Sequence, residues 1–325
     1  MIKLSKTPGR DFKILNFTDP QLCGGEWADG ERGGKVMKYT VEETISRVKP
    51  DLITVSGDFS YSGDFNSFKS FGEYFDSFGI PWTCCFGNHD NQGDPAFLGT
   101  VIEEFRRHPL FLYEDCDEKL GYCNHVIVIE EDGKAVEAVI MMDTHDRLPY
   151  KTETGEDTLV WAKLMPEQIE WYRDRVAELE TIGCHDSTVI THIPIYAYRD
   201  AWTAAIRPDV DPKSVDPQSS TGDAVWNEGY TDSFGVAYEG ICSYPEDDGM
   251  FDAILDLGST KTYVCGHDHI NNFVINYKGV RFVYGLKLGT GCYWDPRLNG
   301  ATVLTVSENG VSGVRHEFVN VDHLL

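Results

Sequence analysis

Short apolar segments alternate with amphipathic segments of helical spacing along most of this 325-residue chain. The apolar segments are four or five residues long and are typical of buried strands, at 13–17, 52–56, 82–86, 188–191 and 262–265. Apolar residues at helical spacing predict helices at 36–48, 65–78, 95–107, 166–180 and about 252–257. A sheet of buried strands needs helices over its faces, so the alternation predicts an α/β fold.

Two regions depart from this alternation. Segments 124–129 and 136–142 flank Asp132-Gly133, which predicts a β-hairpin, and three or four short strands are expected at the end of the chain. Residues 198–250 lack a regular period and contain four prolines, seven aromatic residues, and eleven acidic against three basic residues. Such a stretch is typical of a lid or binding insert, but a peripheral cap that only packs on the surface is equally compatible. We therefore predict a single domain over residues 1–325 with an irregular acidic and aromatic insert at about 198–250.

Composition and charge exclude several classes of protein. Apolar residues make up 41% of the chain and aromatic residues 12%, which is enough for a folded core. With 28 basic and 53 acidic residues the net charge is −25, and such a surface repels nucleic-acid backbones and anionic lipid. We therefore expect neither extended nucleic-acid binding nor membrane association.

Cysteine usage and the amino-terminal sequence bear on the compartment. The nine cysteines are scattered and include no C-x-x-C pair, which favours reduced thiols. The first residues carry charge without the apolar stretch of a secretory signal, and no segment approaches the roughly 20 apolar residues of a membrane helix. These features predict a cytoplasmic protein.

Polar clusters directly follow five of the short strands. They are Asp19-Pro20-Gln21, Gly57-Asp58, Gly87-Asn88-His89-Asp90, His192 and Gly266-His267-Asp268-His269. Because ligands of α/β sheets bind outside the carboxyl ends of the strands, we expect these clusters to meet in one pocket. Their carboxylate, amide and imidazole groups suit Mn, Fe or Zn, and there are more donors than one ion needs. The set therefore predicts two divalent or trivalent metal ions that share a bridging carboxylate.

In order and placement over residues 19–269, these five clusters resemble the calcineurin-like metallophosphoesterases. Gln168 and Trp171, on the helix before His192, resemble a feature of the branch with purple-acid-phosphatase-like and cyclic-nucleotide-phosphodiesterase-like members. The resemblance implies a four-layer α/β/β/α sandwich of two mixed β-sheets flanked by helices. It also implies a phosphatase or phosphodiesterase that cleaves a phosphate mono- or diester by attack of a metal-bridging hydroxide at a dinuclear centre.

The resemblance further implies which residues hold each ion. The ligands of the first ion would be Asp19, Asp58 and His269. Asp58 would bridge to the second ion, whose other ligands would be Asn88, His192 and His267. His89 would bind no metal; it would face the substrate and protonate the leaving oxygen, while Asp90 would orient the His89 ring.

Two positions depart from the commonest pattern of the family. Gln21 stands where the family more often has His, and direct ligation and contact through water both remain open. Tyr61, three residues after Asp58, has the spacing of the tyrosine that ligates ferric iron in purple acid phosphatases. Packing in the loop is the favoured interpretation of Tyr61, because Gln21 already occupies the alternative ligand position.

The substrate side of the predicted site is less constrained. A small phosphorylated molecule suits this acidic chain best, and His145, which also follows a strand, is expected to line the substrate side. Four arginines are candidate phosphate contacts, although solvated or salt-bridged side chains are favoured: Arg147, Arg199, Arg207 and Arg297. Two other functions stay open, namely a catalytically idle family member that acts as an interaction module, and a binuclear hydrolase of a non-phosphate ester or amide.

Overall fold

The computed structural model describes residues 1–28, 30–61, 63–91 and 93–325. Its strands are β1 (Ile2–Lys6), β2 (Phe12–Phe17), β3 (Leu52–Ser56), β4 (Trp82–Cys85), β5 (His125–Glu131), β6 (Lys134–Met141), β7 (Arg147–Lys151), β8 (Asp157–Trp161), β9 (Ser187–Ile190), β10 (Thr260–Cys265), β11 (Val274–Tyr277), β12 (Val280–Tyr284), β13 (Gly300–Ser307) and β14 (Gly310–Phe318). Its α-helices are α1 (Arg32–Val48), α2 (Phe65–Asp76), α3 (Pro95–Phe105), α4 (Pro166–Thr181), α5 (Ala197–Ala205) and α6 (Met250–Leu257).

The strands form two large mixed sheets and one small hairpin. The seven-stranded sheet has the order β1-β5-β6-β9-β10-β12-β11, and the five-stranded sheet has the order β14-β13-β2-β3-β4. Neighbours β2, β3 and β4 run parallel in the smaller sheet, as do β6, β9, β10 and β12 in the larger one. Strands β7 and β8 pair only with each other, in an antiparallel hairpin.

Two hydrophobic cores hold these sheets between layers of helices. Along β5, Ile127 and Ile129 join the core that contains the five-stranded sheet and α1 to α3, while Val126 and Val128 join the core under α4 to α6. This period of two shows that the strand is buried on both faces, which explains its continuous apolar sequence. The arrangement confirms the predicted α/β/β/α sandwich.

The topology places the carboxyl ends of five strands at one edge of the sandwich. Strands β2, β3 and β4 end there in the five-stranded sheet, and β9 and β10 end there in the seven-stranded sheet. The loops after these five strands carry the polar clusters of the sequence. The predicted convergence of strand ends is therefore observed.

Three elements were not predicted from the sequence. Strand β1 is an edge strand with alternating exposure, the β7–β8 hairpin is largely exposed, and α5 lies at the start of the irregular segment. None of these elements has the continuous apolar character that marks the central strands, because each buries one face at most.

The irregular segment 198–250 belongs to the packed structure. Between α5 and α6 it has one short 3-10 turn, Pro212–Ser214, and otherwise only isolated bridges, two within the segment and two to residues 271 and 274. Tyr198 and Trp226 are fully buried in the core beneath α4, α5 and α6. Among the helices of the described residues, none has the length and apolar character that a membrane span requires.

Glu137 on β6 is a buried carboxyl group far along the chain from the polar clusters. It accepts hydrogen bonds from Thr188 Oγ1 (2.9 Å) and from the backbone N–H of Val311 (3.1 Å). Burial raises its pKa from an ordinary 4.5 to about 8, and the Asp186 carboxylate adds to the rise. Between these values the folded chain holds a proton that the unfolded chain has lost, so this group lowers the free energy of unfolding as pH rises.

We predict that Glu137→Gln flattens this pH dependence, because the amide has no proton to lose in this pH range. The measurement is urea unfolding between about pH 5 and pH 8 with a chelator present. The free energy of unfolding should fall less steeply with pH in Glu137→Gln than in the wild type, by up to ~1.4 kcal/mol per pH unit. Glu308→Gln, in an exposed turn, serves as the control and should keep the wild-type slope. Equal slopes in all three proteins would contradict the assignment.

Candidate metal centre

Left-handed backbone marks the loops that carry the polar clusters. The φ angles are 54° at Asp19, 48° at Gln21, 54° at Asp58 and 79° at His267. Residues other than glycine rarely adopt this conformation, and it clusters at functional sites where the surrounding structure enforces it. His267 therefore does not lie in extended backbone, although its side chain and that of His269 line the same cavity.

Asp19, Asp58 and His269 form a buried group of donors. Their ligand atoms all lie within 4.8 Å of one another, and this group could hold a metal ion. Nε2 of His269 is 3.3 Å from Oδ1 of Asp19. The three residues predicted to hold the first ion are thus brought together.

The His269 ring is oriented by Tyr293. Its Nδ1 lies 2.8 Å from the carbonyl oxygen of Tyr293, and the two rings stack with centroids 4.2 Å apart. A carbonyl oxygen only accepts, so Nδ1 carries a proton and Nε2 is the ring atom directed at Asp19. This tautomer is the one that a metal ligand at Nε2 requires.

His192 lies at the middle of a second group of donors. Its Nδ1 donates to the carbonyl oxygen of Ser56 at 2.8 Å, which leaves Nε2 as the atom facing the site. Around Nε2 lie Oδ1 of Asn88 at 3.1 Å, Nδ1 of His267 at 3.3 Å and Oδ1 of Asp58 at 3.4 Å. Asp58 is therefore common to both groups, which is the position predicted for a bridging ligand.

Two buried oxygen atoms support the fit of this site to cations. Oδ1 of Asp19 and Oε1 of Gln21 have no hydrogen-bond partner among the described residues. Gln21 is turned so that Nε2 donates to Oδ2 of Asp58 at 2.8 Å. An unpaired buried oxygen costs roughly 1–3 kcal/mol, so atoms of this kind call for a missing partner, and a cation supplies one.

The electrostatics of the site also call for positive charge. Burial would raise the pKa of the Asp19 carboxyl, but His192 and His269 nearby hold it well below its ordinary value. For Asp58, His192 likewise outweighs burial and lowers the pKa to about 2. Burial favours neutral His192, yet the two carboxylates raise its pKa to about 10. The two acids are ionised, and in this structure His192 balances part of their charge.

Lys287 adds a fixed cation that the sequence did not single out. Its Nζ donates to the backbone oxygen of Asp19 at 2.6 Å, and the side chain is buried. Burial lowers its pKa to about 8, against the attraction of Asp19 and Asp58. No motif surrounds this lysine, so only the packed structure reveals its place beside the centre.

Asp90 ties two loops of the site together. Its carboxylate accepts hydrogen bonds from the backbone N–H groups of Gly87 (2.7 Å), Asp58 (2.9 Å) and Ser60 (3.2 Å). These contacts join the loop after β3 to the loop after β4. The role implied by the family resemblance, orientation of the His89 ring, stays a prediction.

Close approach of these two loops explains why residue 87 is a glycine. A Cβ atom at Gly87 would lie 2.1 Å from Oδ1 of Asp58, far inside van der Waals contact. Only glycine lets the backbone after β4 pass this close to the carboxylate.

His89 lies at the wall of a small cavity over the centre. This cavity of about 100 Å³ is lined by Asp58, His89, Trp161, Cys242, His267, Asp268, His269, Cys292 and Tyr293. The ring of Tyr61 stacks on His89 with centroids 4.6 Å apart, a contact that favours the packing interpretation of Tyr61. A wider cavity of about 540 Å³ adjoins it and shares Trp161 and Cys242 as wall.

The other candidate residues lie around the rim. The guanidinium of Arg147 lies 4.2 Å from the centroid of the Trp161 ring, and Trp161 meets His267 edge-on at 4.5 Å. Nε2 of His145 lies 3.2 Å from Oε1 of Gln168, whose Nε2 donates to the carbonyl oxygen of Asp143 at 2.6 Å. Gln168 thus holds the loop that carries His145.

Three of the candidate arginines are engaged elsewhere. Arg207 and Arg297 form ion pairs with Asp209 and Asp295, and Arg199 donates through Nε to Ser243 Oγ at 2.8 Å. Arg147 is linked to the centre through Trp161, whose ring contacts His267.

Comparison with known proteins identifies a family that matches this chain. The family model described as calcineurin-like phosphoesterase matches residues 12–271. A curated relative named probable inactive purple acid phosphatase 28, from Arabidopsis thaliana, is 24% identical over 276 residues, covering 78% of this chain and 62% of the relative. Another relative from that plant, named probable inactive purple acid phosphatase 14, is 25% identical and is covered over 70% of its length. The chain thus spans less than two thirds of the first of these relatives.

A solved structure supports the fold. The structure of a dimetal phosphatase from Danio rerio matches with a TM-score of 0.53 and 10% sequence identity, over 91% of this chain and 93% of that one. At this identity the match bears on the fold alone. Since the family model covers most of the residues, including all five polar clusters, the chain belongs to the calcineurin-like phosphoesterase family.

Proposed function

We propose that this protein is a metal-dependent phosphoesterase that hydrolyses a small phosphate mono- or diester at a dinuclear centre. The observation that carries the proposal is the position of Asp58, whose carboxylate belongs to both groups of buried donors. One group contains Asp19 and His269, and the other is centred on His192. A carboxylate shared in this way suits two ions in one site.

The proposed ligands follow from these groups. Asp19, Gln21, Asp58 and His269 would hold one ion, and Asp58, Asn88, His192 and His267 the other. A half-turn of the Gln21 amide exchanges its nitrogen and oxygen, and an oxygen beside Asp58 is favourable only with a cation between them. Oxygen and imidazole donors together suit Mn, Fe or Zn.

The side chains around the centre would have separate roles in the reaction. Two ions held by these residues would supply positive charge for the phosphate and would lower the pKa of a water molecule. His89 faces the cavity over Asp58 and would give a proton to the departing oxygen. Tyr61 covers one face of the His89 ring, and Asp90 holds the loops after β3 and β4 together, so both act as positioning residues.

A second candidate function is a catalytically idle metal-binding protein that acts as an interaction module. The plant relatives are named probable inactive purple acid phosphatases, which favours this second candidate. Retention of His89 and of the donors around Asp58 supports an active enzyme instead. Both candidates predict metal binding, and only the phosphoesterase predicts turnover.

Activity on chromogenic esters separates these candidates. We predict that the wild type hydrolyses a nitrophenyl phosphate monoester or the corresponding diester with Mn, Fe or Zn, and that chelator abolishes the activity. Asp58→Asn should reduce activity to the chelated level, because it weakens the ligand common to both ions. If the protein binds these metals but hydrolyses neither ester with any of them, the result would favour the idle module.

Leaving-group dependence tests His89. We predict that His89→Ala lowers kcat about 10²–10⁴-fold on an alkyl phosphate, whose departing oxygen needs a proton, and much less on a nitrophenyl ester. His185→Ala, which removes an exposed histidine paired with Glu180, is the matched control and should leave both rates unchanged. Equal losses on the two esters would argue that His89 has no role as an acid.

Metal removal should also change stability. We predict that Mn²⁺ at 100 times its dissociation constant adds about 2.7 kcal/mol per bound ion to the free energy of unfolding, seen as a higher Tm than in chelator. Asp58→Asn should lose most of this increase. Asp211→Asn, which alters an aspartate capping a surface turn, should retain it. An increase of the same size in Asp58→Asn would rule out the shared carboxylate.

A further inference from the structure

Part of the irregular segment 198–250 runs beside the loop that carries His267 and His269. The backbone N–H of Asn272 donates to the oxygen of Val236 at 2.9 Å, and that of Tyr238 donates to the oxygen of Ile270 at 3.2 Å. An antiparallel bridge joins Ala237 to Asn271. The two stretches thus form a short irregular ribbon immediately after the two histidines.

Glu239, at the end of this ribbon, ties two elements together. Its Oε1 accepts the backbone N–H of Ile270 at 2.9 Å, directly after His269 in the loop. Its Oε2 accepts the hydroxyl of Tyr293 at 2.7 Å. Tyr293 is the residue whose carbonyl oxygen and ring orient His269. One carboxylate therefore holds both the backbone beside His269 and the partner of its ring.

Asp268 makes a second connection between the segment and the loop. Its Oδ2 accepts the backbone N–H of Cys242 at 3.0 Å and the hydroxyl of Tyr284 at 2.6 Å. The side chain is only 3% exposed and lies between the two histidines in sequence. Two carboxylates thus link the loop to residues 239–242 of the irregular segment. Asp268, directly before His269, bonds to Cys242, and Glu239 bonds to Ile270, directly after His269.

We propose that this segment positions the metal-binding loop, with Glu239 as the positioning residue that holds His269 through Tyr293 and Ile270. The inference rests on the proposed metal centre. A metal-ligating histidine needs its ring fixed with Nδ1 protonated and Nε2 directed at the ion, and loss of such outer support weakens binding. In this account the segment is neither a lid nor a passive cap, because its carboxylate acts on a ligand.

Binding of Mn²⁺ alone, measured by calorimetry without substrate, tests this role. We expect Glu239→Ala to weaken the binding step that involves His269 about 10- to 100-fold, while the Tm of the metal-free protein changes little. Tyr293→Phe keeps the ring over His269 and removes only the hydroxyl that Glu239 holds, so it should weaken Mn²⁺ binding less. The double variant should be no worse than Glu239→Ala, because both changes break one connection.

The chain offers a matched control for this pair. Glu246 lies in the same segment and accepts the hydroxyl of Tyr150 at 3.0 Å on the surface. Glu246→Ala and Tyr150→Phe remove the same chemistry away from the histidines, and both should bind Mn²⁺ as the wild type does.

Each outcome is decisive for a different claim. A wild type that binds no Mn²⁺, Fe²⁺ or Zn²⁺ would overturn the metal centre and, with it, the proposed function. A wild type that binds Mn²⁺ while Glu239→Ala and Tyr293→Phe bind it equally well would overturn only the role of Glu239. If Glu239→Ala fails to fold, Tyr293→Phe decides alone, and unchanged Mn²⁺ affinity there would contradict the inference.

Discussion

Two ionised carboxylates buried side by side are the constraint around which this end of the molecule is organised. Asp19 and Asp58 are each only 1% exposed, and like charges at low dielectric repel strongly unless a positive charge lies between or beside them. Positive or partly positive groups surround both acids: His192 lies between them, Lys287 donates to the backbone of Asp19, and backbone N–H groups donate to one oxygen of each carboxylate. The remaining demand for positive charge is what makes the donors suitable for metal ions.

The convergence of the five clusters could be predicted because it follows from elementary topology. Asp58 and His192 each come directly after a short apolar run, and parallel strands bring their carboxyl ends to one edge. Apart from α5, the α-helices were predictable from apolar spacing to within a few residues, as with α2 and α4. The sandwich itself was inferred from a family resemblance rather than from periodicity, and the structure confirms it.

Other parts of the site have no counterpart in a local pattern. Trp161 and Tyr293 reach the centre from an exposed hairpin and from a loop near the end of the chain, where periodicity gives no signal. The hydrogen bonds of Asp90 to three backbone amides of the neighbouring loops were likewise not indicated by any sequence pattern. Left-handed backbone at Asp19 and Asp58 was also unpredictable, since neither is a glycine and the surrounding contacts enforce it.

The clusters come from both large sheets, and this has a thermodynamic consequence. Asp19, Asp58 and Asn88 follow strands of the five-stranded sheet, whereas His192, His267 and His269 follow strands of the seven-stranded sheet. The donors meet only when the two sheets are docked through the core that contains residues of both. Ion binding at the proposed centre would therefore be coupled to docking of the two sheets. An aliphatic truncation deep in that core, remote from any ligand, would weaken ion binding, and bound ions would in turn hold the two halves of the sandwich together.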